Sequence, residues 1–198
     1  MPFVSLAPVS RESRLAAAHA RWTLILARRA ELRPAVELQR ELVTTLIDLS
    51  EALERRPVPK LSLPAKYVAA KLARGIPALS GEPVPVPTAD IEPSLLRLCD
   101  QLAAGGAGEA ARHIKAVLAS GELESGSLLS SSLSRNQGAI RSGAAHRGLA
   151  ADLRWLIGEL AVGPFANRLQ RALFEAPDRA LQDALDQWSH GYCAACGS

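Results

Sequence analysis

Apolar residues recur at helical spacing in the segments between the prolines and glycines of this chain, and that periodicity constrains its fold more than any other feature. The plainest example is a leucine stripe, widened by Ile157, at Leu149, Leu153, Leu156 and Leu160. Alanine and leucine are abundant, whereas aromatic residues make up only 4% of the chain. Because alanine and leucine favour helices, and strands favour β-branched and aromatic residues, we predict an all-α domain of several helices packed as a bundle or orthogonally.

The N-terminal part of the sequence predicts a helical hairpin. Ser10 is the predicted N-cap of a first helix that runs to about Leu32. Pro34 then suits the first turn of a second helix, and Pro57 prevents that helix from continuing. A short helix is predicted over residues 63–73.

Residues 76–88 form the least helical stretch and contain four prolines. Such a stretch is typical of extended backbone, which serves either as a linker between domains or as a loop wrapped over the surface. Both interpretations stay open. We therefore predict one helical domain over residues 1–188, with a candidate internal boundary at 76–88, followed by a short segment at 189–198.

Later helices are marked by glycine, proline and serine. Asp90 is the predicted cap of a helix that the glycines of residues 105–108 interrupt. The serine-rich residues 125–134 predict either a helix with a small, close-packing face or a loop. The clearest helix is predicted over residues 144–162, where Gly163-Pro164 would stop or sharply kink it. A further helix carrying Phe165, Leu169 and Leu173, and a last helix over residues 178–188, are predicted to follow.

Charge and cysteine content predict a cytoplasmic protein. The net charge of +3 is spread among acidic residues, which indicates a solvated surface rather than a nucleic-acid-binding face. No apolar run approaches the roughly 18–20 residues of a membrane helix, and the N-terminus lacks the charged-then-apolar order of a secretory signal. The three cysteines, Cys99, Cys193 and Cys196, do not suggest a disulfide framework.

The titratable residues predict no active site. His19 and His113 fall on predicted helices without a glutamate at zincin spacing, and His146 falls at a predicted helix start. Glu122 and Glu124 are best explained as charges at a helix N-terminus. We therefore predict a protein that is not an enzyme, with no catalytic and no cofactor-binding residues.

The strongest motif is Cys193-Ala-Ala-Cys196, which is followed by Gly197. Two thiolates three residues apart on a tight turn can bind one metal ion, but a tetrahedral zinc or iron site requires four ligands. Cys193 and Cys196 are thus predicted metal ligands of a half-site, and His190 is the candidate third ligand. Cys99 lies on an apolar helix face, which is typical of a core residue.

Other interpretations of the cysteine pair stay open. A helical nucleic-acid-binding domain with a zinc ribbon would account for both the basic charge and the motif. A thiol–disulfide redox protein would use Cys193 and Cys196 directly, although such motifs usually lie in a βαβ context. Two unpaired cysteines in a frayed tail are the alternative without function.

From Trp188 to Ser198 the sequence resembles the formate dehydrogenase accessory (formation) protein family. In that family a tryptophan and a GxCxxCGS segment open the first of two rubredoxin-like, or zinc-ribbon-like, metal modules behind a helical region. The helical part is similar in outline only. Cys193 and Cys196 match the metal ligands of the family, whereas the later knuckles are absent, so the chain looks truncated at its first CxxC.

The resemblance implies a chaperone-like maturation protein in the cytoplasm that binds the molybdenum-containing catalytic subunit of formate dehydrogenase. It also implies iron or zinc in the full-length parent, with none expected on this chain alone. A homodimer is a further expectation, and neither nucleic acid nor a membrane span is expected.

Overall fold

The computed structural model describes residues 10–175 and 177–198. In these residues the only regular secondary structure is helical, which confirms the all-α prediction. The prediction that the N-terminus lacks the charged-then-apolar order of a secretory signal concerns residues 1–9, which lie outside the described residues. The helices are α1 (Arg11–Arg28), α2 (Arg33–Glu54), α3 (Ala65–Leu72), α4 (Thr88–Leu102), α5 (Gly108–Ala119), α6 (Ser125–Leu133), α7 (Gln137–Ala145), α8 (Ala151–Phe174) and α9 (Arg179–Asp186).

The predicted N-terminal hairpin is confirmed. The hydroxyl of Ser10 accepts a hydrogen bond of 3.2 Å from the backbone N–H of Ser13 and so caps α1. A short 3₁₀ turn, Ala30–Leu32, joins α1 to α2, and Pro34 lies in the first turn of α2 as expected. Trp22 is the buried anchor of α1.

The main core lies between α2, α4, α5, α6, α7 and α8, and α8 contacts most of the others. Each fully buried leucine, isoleucine or phenylalanine in it contributes about 1.5–3 kcal/mol relative to an exposed one. The largest side chains with almost no exposure in this core are Leu53, Ile91, Leu95, Leu98, Ile114, Leu128, Leu129, Ile140, Ile157, Phe165 and Leu169.

The predicted helix over residues 144–162 is wrong at both ends. Helix α7 ends at Ala145, and the chain turns through Gly148, where φ is +61°. Helix α8 then continues through Gly163-Pro164 to Phe174, although an interior proline costs roughly 3 kcal/mol and a glycine about 1 kcal/mol relative to alanine. Burial of Phe165 beyond the proline offsets part of that cost.

The predicted leucine stripe is also corrected. Leu156 is 43% exposed, whereas its neighbour Ile157 has no exposed surface. The buried face of α8 runs through Ile157, Ala161, Phe165 and Leu169. These residues repeat at four-residue spacing, and two of them lie beyond the proline, so a helix assumed to end at Val162 cannot reveal this face.

The predicted helix ends near Asp90 and His146 are wrong, whereas the predicted break at the glycines is confirmed. Asp90 does not cap a helix, because α4 begins at Thr88 and the Asp90 carboxylate pairs with Arg56 at 2.7 Å in the first turn. His146 lies after the end of α7 rather than at a helix start. The glycines do interrupt the chain after α4, where Gly106 and Gly108 have positive φ.

The serine-rich residues 125–134 form helix α6 up to Leu133. Its Ser132 lies against Gly158 of α8, where a Cβ atom would collide with the serine hydroxyl. The prediction of a helix with a small, close-packing face is therefore confirmed over the loop alternative.

The proline-rich stretch lies against both cores of the protein. Leu79 is buried in the main core, and Val84 and Val86 pack on its edge. A second cluster, which we call the C-terminal core, joins α3 and α9 to the end of the chain. Its buried members are Val68, Ala69, Leu72, Ala78, Phe174, Leu181, Trp188, Ala194 and Ala195. A domain boundary at 76–88 stays a prediction.

None of the helices in residues 10–175 and 177–198 combines the length and the apolar character that crossing a bilayer requires.

Candidate functional site

The two cysteines lie in a tight turn, Cys193 to Gly197, which we call the knuckle. The N–H of Gly197 donates to the carbonyl of Cys193 at 2.9 Å, and the N–H of Cys193 donates to the carbonyl of Ser198 at 2.9 Å. Gly197 has φ of +78°, a conformation that favours glycine. The N–H of Ala195 points at the Cys193 sulfur at 3.4 Å, which is the kind of contact that stabilises a thiolate ligand.

The knuckle is fixed to the turn that follows α3. The N–H groups of Ala78 and Leu79 donate to the carbonyls of Ala194 and Ala195, each at 2.8 Å. The side chains of Ala194 and Ala195 are buried in the C-terminal core, whereas the two cysteines stay partly exposed. The residues between the cysteines thus anchor the turn and leave the sulfurs accessible.

Lys71 of α3 holds that turn in place from inside. Its ammonium donates to the carbonyls of Ala78 at 2.8 Å and Ser80 at 2.6 Å, and to the Glu82 carboxylate at 2.8 Å. The hydrogen bond from Lys71, and then that from Tyr67, lowers the pKa of Glu82. Lys71 was not among the predicted site residues. Its signal was a lysine on the apolar face of a short helix, eleven residues before a glutamate.

His190 does not join the cysteines. Its ring packs edge-on against Trp188 at 4.6 Å and stacks on Tyr192 at 5.1 Å between ring centres. Gly75 makes room for it, because a Cβ there would lie 2.8 Å from the His190 Nε2 atom. The Tyr192 hydroxyl donates to the carbonyl of Gly75 at 2.7 Å. Across residues 10–175 and 177–198, no three histidine, cysteine, aspartate or glutamate side chains are grouped to hold a metal ion.

The two thiols share one proton unequally. A hydrogen bond from Cys193 lowers the pKa of Cys196 to about 5 against the opposing effect of burial, and the Ser198 hydroxyl at 3.3 Å and the charge of Arg135 lower it further. The same hydrogen bond, together with burial, raises the pKa of Cys193. The two thiols therefore titrate as a coupled pair, in which Cys196 is the more acidic.

A cleft of about 260 Å³ opens beside Cys196, and we call it the knuckle cleft. Arg135 reaches into it from the loop after α6, pairs with Glu159 of α8, and lies 5.1 Å from the centre of the Trp155 ring. Arg135 has φ of +58°, which is unusual for a residue other than glycine. Burial raises the pKa of Glu159 despite the opposing charge of Arg135.

The other titratable candidates lie away from the knuckle. Cys99 is fully buried in the main core, and burial raises the pKa of its thiol to about 11. His19 packs edge-on against Trp22 in the N-terminal hairpin, at 5.2 Å between ring centres. The structure therefore brings together Cys193, Cys196 and the unpredicted pair Arg135 and Glu159.

No family model, no curated protein and no solved structure matches this chain. The site is accordingly characterised by the geometry of the knuckle and its adjoining cleft.

Proposed function

We propose that this chain is an accessory protein, and not an enzyme, that assists maturation of formate dehydrogenase by binding its molybdenum-containing catalytic subunit in the cytoplasm. The observation that carries the proposal is the Trp188 to Ser198 segment, a CxxCGS knuckle that follows the helices of residues 10–175 and 177–198. In this proposal the helices form the platform for the partner, and the knuckle is the opening of a rubredoxin-like module.

The donor chemistry of the knuckle fits half of a metal site. Cys193 and Cys196 offer two thiol ligands on one turn, and the N–H of Ala195 approaches one sulfur at 3.4 Å. Tetrahedral sites for zinc or iron take four such ligands. Further ligands from a longer parent chain or from another molecule would complete the set, and the bound ion would then stabilise the module structurally.

The anchoring of the knuckle supports a binding role rather than a frayed tail. Two backbone hydrogen bonds and two buried alanines fix the segment between the cysteines, so the thiols are held before any ion arrives. Preorganised ligands lose less conformational freedom on binding.

Co-purification with the tagged catalytic subunit of formate dehydrogenase tests the proposal. We expect the wild-type chain to be retained on the subunit. The Cys99→Ala variant, altered in the core and remote from the knuckle, serves as the control and should be retained equally if it folds. Retention of neither protein above an untagged background would contradict the proposal.

A thiol–disulfide exchange protein is the second candidate, and the low pKa of Cys196 favours it. A reactive thiolate beside a second thiol is the arrangement that such proteins use. In this alternative Cys196 attacks a disulfide of another protein, one sulfur of that disulfide leaves as a thiolate, and Cys193 then resolves the mixed disulfide. The candidate predicts catalysed reduction of insulin disulfides by a dithiol reductant, and a rate equal to that of the Cys196→Ser variant would eliminate it.

A further inference from the structure

Cys196 has surroundings that a metal half-site does not require. It lies half-buried at the edge of the main core and lines the knuckle cleft, whereas Cys193 lines a different cleft of about 390 Å³. The hydroxyl of Ser198 lies 3.3 Å from the Cys196 sulfur, and Arg135 lines the same cleft. Reactive cysteines typically occupy partly exposed positions beside a cationic side chain.

Arg135 brings hydrogen-bond donors to the knuckle cleft. A guanidinium carries five N–H groups, and its Nη1 atom donates to Glu159. Within residues 10–175 and 177–198, the side chain of Arg135 donates no other hydrogen bond. It is 35% exposed, so its remaining N–H groups can be reached by a small molecule in the cleft.

The second thiol of the knuckle lies on the same tight turn. Cys193 precedes Cys196 by three residues, and the hydrogen bond from Gly197 to the carbonyl of Cys193 closes that turn. A sulfenic acid formed next to a thiol condenses with it to a disulfide. Cys99, by contrast, has no exposed surface in the main core. The knuckle therefore holds both an oxidisable sulfur and a thiol that can resolve its sulfenic acid.

The shape of the cleft favours a small oxidant over the disulfide of another protein. The cleft measures about 260 Å³, and the half-buried Cys196 lies in its lining. A hydroperoxide is small and uncharged, and both of its oxygens accept hydrogen bonds. Negative charge develops on the leaving oxygen when the O–O bond breaks, and donors aimed at such a charge speed the reaction. Arg135 and the Ser198 hydroxyl are donors of this kind.

We propose that Cys196 is a modification site for hydroperoxides and that Cys193 resolves the product. The Cys196 thiolate attacks one peroxide oxygen, the O–O bond breaks, and the second oxygen leaves as hydroxide or alkoxide, which takes a proton from water. The Cys193 thiol then attacks the sulfenic sulfur, the S–O bond breaks, and water leaves. The two thiols together lose two electrons, which the peroxide gains. This modification does not rest on the proposed function.

Oxidation of the whole, metal-free chain by hydrogen peroxide tests the proposal. Mass spectrometry follows the loss of two hydrogens per chain, and peptide mapping locates the disulfide. We expect a disulfide between Cys193 and Cys196 that forms at least about tenfold faster in the folded chain than in urea, where the cleft is absent. Equal rates in the two states, or a disulfide that includes Cys99, would overturn the proposal.

Two serine variants separate the steps. Cys193→Ser should stop at a sulfenic acid on Cys196, which dimedone traps as an adduct. Its matched control is Cys196→Ser, which should give no such adduct at Cys193 on the same timescale. An adduct at Cys193 but not at Cys196 would overturn the proposal.

The role of Arg135 is tested by Arg135→Met, which removes the donors and should slow oxidation of Cys196 about tenfold. Arg141→Met is the matched control, because Arg141 also pairs with a carboxylate, that of Asp152 at 3.8 Å, but does not line the cleft. Alkylation by iodoacetamide should slow less, since no oxygen leaves in that reaction. Equal slowing of both reactions, or no slowing of oxidation, would overturn the assigned role of the donors.

Melting curves establish that Arg135→Met folds. If it does not fold, Arg135→Lys takes its place, because lysine keeps the charge beside Glu159 and loses the forked donors of the guanidinium. The same comparison with alkylation then applies, with a smaller expected slowing of oxidation.

The outcomes also separate this inference from the proposed function. If the catalytic subunit is not retained while peroxide oxidises Cys196 faster in the folded chain, the proposed function fails and the modification site stands. If the subunit is retained while Cys196 is oxidised no faster than in urea, the modification site fails and the proposed function stands.

Discussion

Lys71 helps to fix the position of the residues between the two cysteines, which follow it by more than a hundred positions in the chain. Lys71 as a whole is 4% exposed, its ammonium binds the turn that carries Ala78, and this turn donates to the residues between the two cysteines. A buried charge is stable only when its hydrogen-bonding groups are satisfied. We infer that Lys71 sets the geometry of the knuckle without contacting it.

Replacing Lys71 by methionine should destabilise the fold strongly. The change leaves Glu82 and two carbonyls without their donor, and removing one member of a buried ion pair costs about 3–5 kcal/mol. Urea unfolding measures the loss. The matched control is Lys115→Met, which breaks the more exposed pair with Asp100 and should change the free energy of unfolding by at most about 1 kcal/mol. Equal effects of the two substitutions would contradict this role.

The same pair predicts a pH dependence. Because the pKa of Glu82 is lower in the folded chain than its ordinary value of 4.5, the stabilisation is fully present above that value. It is lost as the pH falls through the lowered pKa of the folded state. The difference in unfolding free energy between wild type and Lys71→Met should therefore shrink below pH 4.5. A difference that is constant with pH would argue that Glu82 is not involved.

The two knuckle thiols should react at different rates. The pKa of Cys196 is lowered and that of Cys193 is raised, so Cys196 carries more thiolate at neutral pH. We expect iodoacetamide to alkylate Cys196 at least about tenfold faster than Cys193. Buried Cys99 should stay unmodified until the chain unfolds. Peptide mass spectrometry measures the three rates, and the unfolded chain is the control. Equal rates at the two knuckle thiols of the folded chain would refute the assignment.

At the scale of elements, helix α8 organises the molecule. It packs against α2, α4, α6 and α7, and it carries Glu159 and Gly163 at the knuckle cleft. Its buried face is set by Ile157 rather than by the leucine stripe. Helix α8 therefore links the main core to the knuckle cleft.

The corrected face of α8 predicts two unequal substitutions. Ile157→Ala opens a cavity in the main core and should cost about 2–5 kcal/mol of unfolding free energy. Leu156→Ala removes a side chain that is already 43% exposed, so it should change stability by no more than about 0.5 kcal/mol. Urea unfolding of both variants compares the two positions. A larger loss of unfolding free energy for Leu156→Ala would instead support the leucine stripe as the buried face of α8.

Most helices were predictable from periodicity, caps and breaks, because these signals are local. The Ser10 cap and the break at Gly106 belong to this class. The path of α8 through Pro164 was not predictable, because it depends on the burial of Phe165 by other helices. The cysteine pair was visible in sequence. Its companions Arg135 and Glu159 were not, because tertiary packing brings them to the knuckle from other elements.

At the scale of the whole molecule, the main core and the C-terminal core have different structural roles. The main core packs α2 and α4 to α8 together, and the C-terminal core attaches the knuckle to α3 and α9. One chain then offers two thiol ligands, with no third metal-binding side chain grouped among the described residues. The proposed accessory role depends on the helices serving as the platform for the partner and on the two thiols serving as half of a metal site.

Metal content tests this half-site. Structural zinc takes four ligands. The isolated chain should therefore hold less than one zinc ion per chain after dialysis against a chelator. Elemental analysis measures the ratio, and the Cys193→Ser, Cys196→Ser double variant gives the background. One tightly held ion per chain would instead show that His190 or a second molecule completes the site.

The role in maturation is tested most directly by formate oxidation in a strain that lacks the gene for this chain. The proposal predicts that formate dehydrogenase activity is lost in the deletion strain and returns when the gene is restored. Normal formate oxidation in the deletion strain would contradict it.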